Sequence, residues 1–331
     1  MENTSSGFRQ KWHERMRDRT DIRRHRVATS RTWPLYYLQI DDMGDITLRN
    51  KIIIAVWVTC IAMTTLVAVM FYNGLTVKHY RVNTDKFEDG DSLRIVLVAD
   101  LHSHIYGYGQ GDLISVIEGQ SPDIIVLAGD IADDVAAFDG AKLLVSGVAD
   151  IAPVFYVSGN HEYWSGDIEN IKETIRALGA AVLEDEYKEI EVNGIALVVA
   201  GADDPEWVHF EDKAGLMPMD ESFRELAHKS QFKILVAHRP ELIETYKEYS
   251  FDLVLSGHTH GGVVRIPLLS NGLFAAHQGW FPKYVGGVYE HDGLIQIVSR
   301  GVSFDPKTPR IFNPPEVTVI DIYSNDESER K

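Results

Sequence analysis

Five segments of the chain share one grammar, an apolar and largely β-branched run that breaks off at a polar or glycine-polar step. They are LRIVLVAD (ending at Asp100), DIIVLAGD (Asp130), VFYVSGNHE (Glu162), FKILVAH (His238) and FDLVLSGH (His258). Unbroken apolar runs bounded by turn signals suit strands buried on both faces. Between them GDLISVIEGQ, AAFDGAKLLVSGVAD, SGDIENIKETIRALG and RPELIETYKEYS carry the spacing of amphipathic helices. From Ala181 to Ala202 the pattern turns to strands with little helix between, and Asn193-Gly194 marks a hairpin turn. GVYEHDGLIQIVSRG, with Asp292-Gly293 as its turn, and EVTVIDIY read the same way. The expectation is an α/β body over residues 93–323, two packed mixed sheets with helices outside them, in one domain rather than two.

Upstream the pattern changes in kind. From Ile52 to Tyr72, IIIAVWVTCIAMTTLVAVMFY holds no charged side chain, over a length that crosses a bilayer as a helix, roughly 20 residues. A core helix of that length would show a polar face. A cleaved signal peptide would be followed by a small-x-small site, and none follows. The Arg23-Arg24 pair lies too far upstream to act as an export signal. The segment 52–72 is read as a single transmembrane anchor, with a basic tail at 1–51, a linker at 73–92 and a flexible tail at 324–331.

The formal net charge of −17 hides an asymmetry: residues 1–51 hold 11 Lys and Arg against 7 Asp and Glu, and the chain from Asn73 onward 21 against 42. Arg15, Arg17, Arg19, Arg23, Arg24 and Arg26 favour a cytoplasmic N-terminus and a body on the outer face of the cell membrane. Lys78 and Arg81 beyond the anchor narrow that contrast. An acidic body argues against bulk nucleic-acid binding, which needs many phosphates neutralised by Lys and Arg. The sole cysteine, Cys60, lies in the apolar run, so no intramolecular disulfide can form.

Asp100, His102, Asp130, Asn160, His161, His238, His258 and His260 all fall at or just past an expected strand end, where open α/β sheets bind ligands. Their mixed nitrogen and oxygen donors suit divalent cations. Asp100 with His102, and His258 with His260, each place two donors on one side of an extended segment. A carboxylate such as Asp130 can bridge two ions about 3.5 to 4 Å apart.

Taken in order, DLH at Asp100, GD at Asp130, GNHE at Gly159, AH at His238 and GHTH at Gly257 resemble the complete signature of the calcineurin-like metallophosphoesterases, over roughly residues 90 to 322. GHTHGG, GADDPEW, SRG and PPEVTVI further resemble a branch of membrane-anchored bacterial phosphodiesterases that includes the YkuE and YaeI proteins, a branch itself similar to hydrolases that cleave UDP-diacylglucosamine. The resemblance implies the four-layer αββα sandwich of that family. It implies two divalent ions, one held by Asp100, His102, Asp130 and His260, the other by Asp130, Asn160, His238 and His258. Those ions would polarise the phosphoryl oxygens and activate the attacking hydroxide, with His161 assisting the leaving oxygen instead of binding metal. Mn, Fe, Zn and Co all suit the donor set.

Two features depart from the family pattern. Glu162 stands where Asp is common, read as a change of little consequence, and VSFDPKTPRIFNPPE (Val302 to Glu316) replaces a small threonine-containing loop, which leaves substrate specificity open. His104 is read as a solvent-facing loop residue, and His79, His209, His228, His277 and His291 as structural. Asp203, Asp204 and Pro205 suit substrate contacts or a turn, and are read as a turn that also supports the site; Arg265, Arg300 and Arg310 are candidates for phosphate or for plain surface. Trp280, Phe281 and Tyr284 suit a wall for a lipid or base, or core packing. GYGQGD lacks the third glycine of a dinucleotide loop. The reading is a membrane-anchored phosphodiesterase or pyrophosphate hydrolase, its substrate lipid-linked or soluble, and its oligomeric state unread. The rival is a noncatalytic metal-binding membrane sensor or scaffold, which would need the ligands but not His161.

Overall fold

Alternation within the apolar runs builds the body layer by layer. In β2 (Ser92–Val98) Leu93, Ile95 and Leu97 face one core and Val96 and Val98 another, so both faces are buried and the run reads as continuous. The same split divides β3 (Ile124–Ala128) and β4 (Val154–Val157). The computed structural model describes residues 47–206, 222–304 and 310–325. The tail at 1–46, the orientation argument resting on it, His209 and the last residues from 326 lie outside the described residues.

One six-stranded sheet has the order β1-β14-β2-β3-β4-β5, with β1 at Thr76–Thr84, β5 at Ala181–Val182 and β14 at Glu316–Ser324. β2 through β5 run parallel, β14 is antiparallel to β2, and β1 is parallel to β14. The second sheet has the order β12-β13-β9-β8-β7-β6. Its strands are β6 (Glu186–Val192), β7 (Ile195–Ala202), β8 (Phe232–Ala237), β9 (Leu253–Ser256), β12 (Gly287–His291) and β13 (Leu294–Val298). β7, β8, β9 and β13 are parallel, with an antiparallel hairpin at each edge. Those hairpins turn where expected, at Asn193-Gly194 and Asp292-Gly293, all four residues having positive φ, the type I′ requirement.

Leu93, Ile95, Val126, Val157, Leu197, Ile234 and Leu255 belong to a single core between the sheets. α2 (Gly111–Glu118), α3 (Asp139–Val148) and α5 (Ile168–Ala177) cover the outer face of the first sheet. Phe223, Leu226, Ile243 and Tyr246 cover that of the second. This is the αββα sandwich, entirely within the unit Cys60–Lys331. The other unit, Met1–Thr59, has only the start of the apolar helix α1 (Leu48–Met70) among its described residues. α1 is long and apolar enough to cross a membrane.

Two expectations need correction. The stretch read as a linker contains β1, whose TVKHYRVNT is too polar to show an apolar run; as an edge strand it fully buries only Val82 and Thr84. The helix expected at 239–250 shortens to a 3₁₀ turn at Pro240–Leu242 and a four-residue α6, Ile243–Tyr246.

Candidate metal centre

Every sequence-selected site residue lies one to four positions past a strand end, with Asn160 and His161 opening the short helix α4 (Asn160–Trp164), and the two sheets bring these ends together. The first sheet supplies Asp100, His102, Asp130, Asn160 and His161, and the second His238, His258 and His260. Glycines allow the approach: a Cβ on Gly129 would stand 2.5 Å from the His238 ring, and one on Gly257 2.8 Å from an Asp100 oxygen. Asp100, His102, Asp130, His258 and His260 all hold φ between 47° and 71°, a conformation uncommon outside glycine, which Asp and His tolerate better than most, and concentrated at functional sites.

Among the donor groups that converge, Asp100 with His102 and His260, and Asp130 with His238 and His258, contain the expected ligands, and His102 with Asp130 and His161 joins them. Asp130 belongs to both neighbourhoods: its Oδ2 is 3.1 Å from His238 Nε2 and 3.8 Å from His102 Nε2. Nitrogens meet in pairs, His102 Nε2 and His260 Nε2 at 3.3 Å, and His258 Nδ1 and His238 Nε2 at 3.2 Å. His238 Nδ1 donates to the Ala128 carbonyl at 2.8 Å, which leaves Nε2 to face the carboxylate. Asn160 lies beside them, 2 % exposed, and its Oδ1 has no hydrogen-bond partner among the described residues. A buried carbonyl oxygen without a partner is costly. Together with converging imidazoles and carboxylates it fits a cation, whose ligands are of these types.

The charge balance follows the same geometry. Burial alone would raise Asp130, yet His238, reinforced by His102 and His161, holds its carboxyl well below the usual range. Against the burial that would lower it, Asp130 pushes His238 up to about 10. Burial first, then the neighbouring imidazoles, depresses His258 and His260, keeping them neutral and able to donate lone pairs. Burial, aided by Asp130, raises Asp100.

His161 joins through its backbone, whose N–H donates to Asp130 Oδ1 at 2.9 Å. Its ring Nδ1 lies 2.7 Å from Asp134 Oδ1 and 3.4 Å from Asp133 Oδ1. Asp133 also sits 3.2 Å from His102 Nδ1, and that hydrogen bond holds its carboxyl far below the usual range. These two aspartates were not singled out from sequence. Their DD step just after GD at Asp130 was the available signal.

Glu162 does more than its sequence reading allowed. Fully buried, it accepts the backbone N–H groups of Asp130 (3.0 Å), Ile131 (2.7 Å), Ala132 (3.0 Å) and Gly159 (2.8 Å), and so locks the Asp130 and Gly159 loops together. Burial and Asp130 push its carboxyl up to about 7, against those donors. His277 was read as structural, but its Nδ1 lies 2.9 Å from His258 Nε2. Glu241 approaches both rings, at 3.9 and 4.0 Å, and among the described residues neither of its buried oxygens has a hydrogen-bond partner. Nothing near His277 in sequence marks this contact, which the fold alone creates.

The remaining candidates separate. Arg310 is buried, its Nη2 3.3 Å from His260 Nδ1. Arg265 bonds Asn271, and Arg300 lies 3.4 Å from Glu316. His104 packs on Tyr106 and is half-buried, and His291 bonds Gln296. Asp204 forms a two-pronged pair with Arg239 at 2.8 and 2.9 Å. Tyr284 is in the core, whereas Trp280 and Phe281 are exposed.

Residues 93–262 match the profile of the calcineurin-like phosphoesterase family. An uncharacterized metallophosphoesterase of Aquifex aeolicus (strain VF5) is 29% identical over 257 residues, 75% of this chain and 92% of that protein. The phosphodiesterase YaeI of Escherichia coli (strain K12) is 28% identical over 235 residues, 69% of this chain and 82% of that protein. Among solved structures, the TT1561 protein of Thermus thermophilus is 12% identical and aligns over 64% of this chain and 90% of that one, with a TM-score of 0.43. The matched profile runs from β2 through the paired histidines beyond β9, across the residues that the fold gathers at its strand ends; the chain belongs to the calcineurin-like phosphoesterase family and is a metal-dependent phosphoester hydrolase.

Proposed function

We propose that the protein is a membrane-anchored phosphodiesterase or pyrophosphate hydrolase working with two divalent ions. The observation that carries this reading is the pair of clusters that Asp130 joins, through His238 on one side and His102 on the other, with Asn160 Oδ1 beside them, unpartnered among the described residues. Asp100, His102, Asp130 and His260 would hold one ion, and Asp130, Asn160, His238 and His258 the other. When bound, such ions polarise phosphoryl oxygens and make water acidic enough to attack near neutral pH.

The protein's own residues supply the rest. His161 is fixed at its backbone by Asp130 and at Nδ1 by Asp134, which leaves Nε2 to give a proton to the departing oxygen. Asp133 and Asp134 orient the His102 and His161 rings. Buried Arg310 adds positive charge beside His260, where an anionic phosphoryl group would lie. Residues of α1 would anchor the chain, the basic tail favouring a cytoplasmic N-terminus and a body outside.

Metal content and bis(p-nitrophenyl) phosphate turnover of the full chain in detergent, with Mn, Fe, Zn or Co, test this. Two metals per chain are expected. Asp130→Asn should lose metal and turnover together, and His161→Ala should keep its metal while turnover falls at least about 100-fold. Full metal loading without turnover on phosphodiesters or pyrophosphates would overturn the enzymatic reading in favour of a scaffold.

A further inference from the structure

Exposed leucines scattered singly over a surface need no explanation. Here six large apolar side chains fall within sixteen residues: Ile266 (40 % exposed), Leu268 (105 %), Leu269 (85 %), Phe274 (44 %), Trp280 (68 %) and Phe281 (71 %). They ride on two linked turns. Ile266 and Ser270 exchange backbone hydrogen bonds at 3.0 and 2.9 Å, which puts Leu268 and Leu269 at the tip. Phe274 pairs with Trp280 and Ala275 with Gly279, and the Phe281 N–H donates to the Leu273 carbonyl at 2.8 Å. Leu268 and Phe281 both hold positive φ, 70° and 54°, so these side chains are displayed on backbone that such residues seldom adopt.

The two ends of this segment touch different things. At the second turn His277 reaches the metal cluster, 2.9 Å from His258. At the start, Val264 bridges Ile311 and the Arg265 N–H donates to the Ile311 carbonyl at 2.9 Å. The next residue, Phe312, donates its N–H to the carbonyl of Met70 at 2.8 Å, and Met70 is the last residue of α1. A short run of backbone contacts therefore links the end of the apolar helix to an apolar loop and, through that loop, to the metal cluster. Trp280 and Phe281 are followed by Pro282 and the exposed Lys283, an aromatic and basic pairing suited to the boundary between headgroups and acyl chains.

We infer that residues 266–281 form a rim seated in the bilayer interface, so that the metal cluster opens toward phosphodiesters or pyrophosphates carried on lipids. This deepens the function proposed above and rests on α1 being a membrane anchor. Exposed apolar side chains concentrated in one segment in this way mark an interaction site, and the link to Met70 selects the membrane as its occupant.

The test uses the full chain carrying Cys60→Ser and one new cysteine, Leu269→Cys or Ile61→Cys, labelled with an environment-sensitive fluorophore. Each is reconstituted into phosphatidylcholine vesicles containing phosphatidylglycerol, with and without a doxyl-labelled lipid. Quenching at both positions is expected. Quenching at Ile61→Cys alone would overturn the rim while leaving the anchor standing, and quenching at neither would overturn both. A Leu269→Cys probe shielded from aqueous iodide yet untouched by doxyl lipid would mean that a protein partner or second copy covers the patch, which also overturns the proposal. In parallel, Leu268→Ser with Leu269→Ser should leave bis(p-nitrophenyl) phosphate turnover within about twofold while turnover of a vesicle-borne lipid phosphodiester falls about tenfold, the loss expected when leucines leave an apolar phase. Equal effects on the two substrates would overturn the lipid assignment. Failure of the unsubstituted protein on both would instead overturn the phosphodiesterase reading on which it rests.

Discussion

Replacing Glu162 with Gln removes half of a clamp without removing volume. The carboxylate accepts four backbone N–H groups, Ile131 and Ala132 on Oε1 and Asp130 and Gly159 on Oε2, at 2.7 to 3.0 Å. A glutamine keeps one oxygen, so two of these bonds survive. The other two donors then face an NH₂ group that cannot accept. Hydrogen bonds to a charged acceptor contribute about 1.5 to 3 kcal/mol each, so the two lost bonds come to about 3 to 6 kcal/mol. Relief from burying a charge beside Asp130 offsets part of that, and a net loss of about 3 kcal/mol is expected. For a domain of this size that corresponds to a fall in Tm of about 6 to 12 °C. Thermal unfolding by circular dichroism, at a pH above the Glu162 value of about 7 so that its carboxyl is ionised, with metal and with EDTA, measures it. The fall should be larger with metal present, because the displaced Asp130 and Asn160 loops also weaken metal binding. A Tm within about 2 °C of the unsubstituted protein and full metal content would refute the clamp.

Further outcomes follow from the same contacts. Gly159→Ala would place a Cβ 2.3 Å from Asp130 Oδ1 and 2.5 Å from its amide nitrogen; metal analysis should show loss of bound ion, and urea unfolding a cost of about 1 to 3 kcal/mol. Asp204→Asn breaks the buried two-pronged pair with Arg239 and should cost about 3 kcal/mol by the same assay, the low end for a buried pair because Glu206 still holds the guanidinium. Burial, then Asp203, raises the Asp185 carboxyl to about 7. A carboxyl raised in the fold adds stability that is full below its unfolded value of about 4 and disappears as pH rises through about 7. Unfolding titrations should therefore show Asp185→Asn losing less stability than the unsubstituted protein between those limits, by at most about 4 kcal/mol, and parallel profiles would remove the cause assigned to the shift.

The candidate metal ligands were legible in the sequence because each lies at or just past the end of an apolar run, and a strand end is a local property of side-chain period and turn chemistry. Asp100, Asp130, Asn160, His238 and His258 mark their own positions in this way, as do the Asn193-Gly194 and Asp292-Gly293 turns. The apolar segment marks itself by length and lack of charge. Period and turn chemistry could not show which polar neighbours serve those ligands. β1 looked like a linker because an edge strand needs little apolar surface, and only its pairing with β14, more than 200 residues away, makes it part of the sheet. Glu162 looked like a minor variant until the fold turned four backbone donors toward it. Asp133 and Asp134 gain a role only because His102 and His161 are folded against them, and His277 only because a hairpin carries it to His258. The sequence alone determined the apolar strands, their turns and the candidate donor atoms at their ends, since each depends on neighbours a few residues apart. The packing of two sheets decided which of those atoms meet and what holds them there, since such contacts join residues that have no local relation to one another.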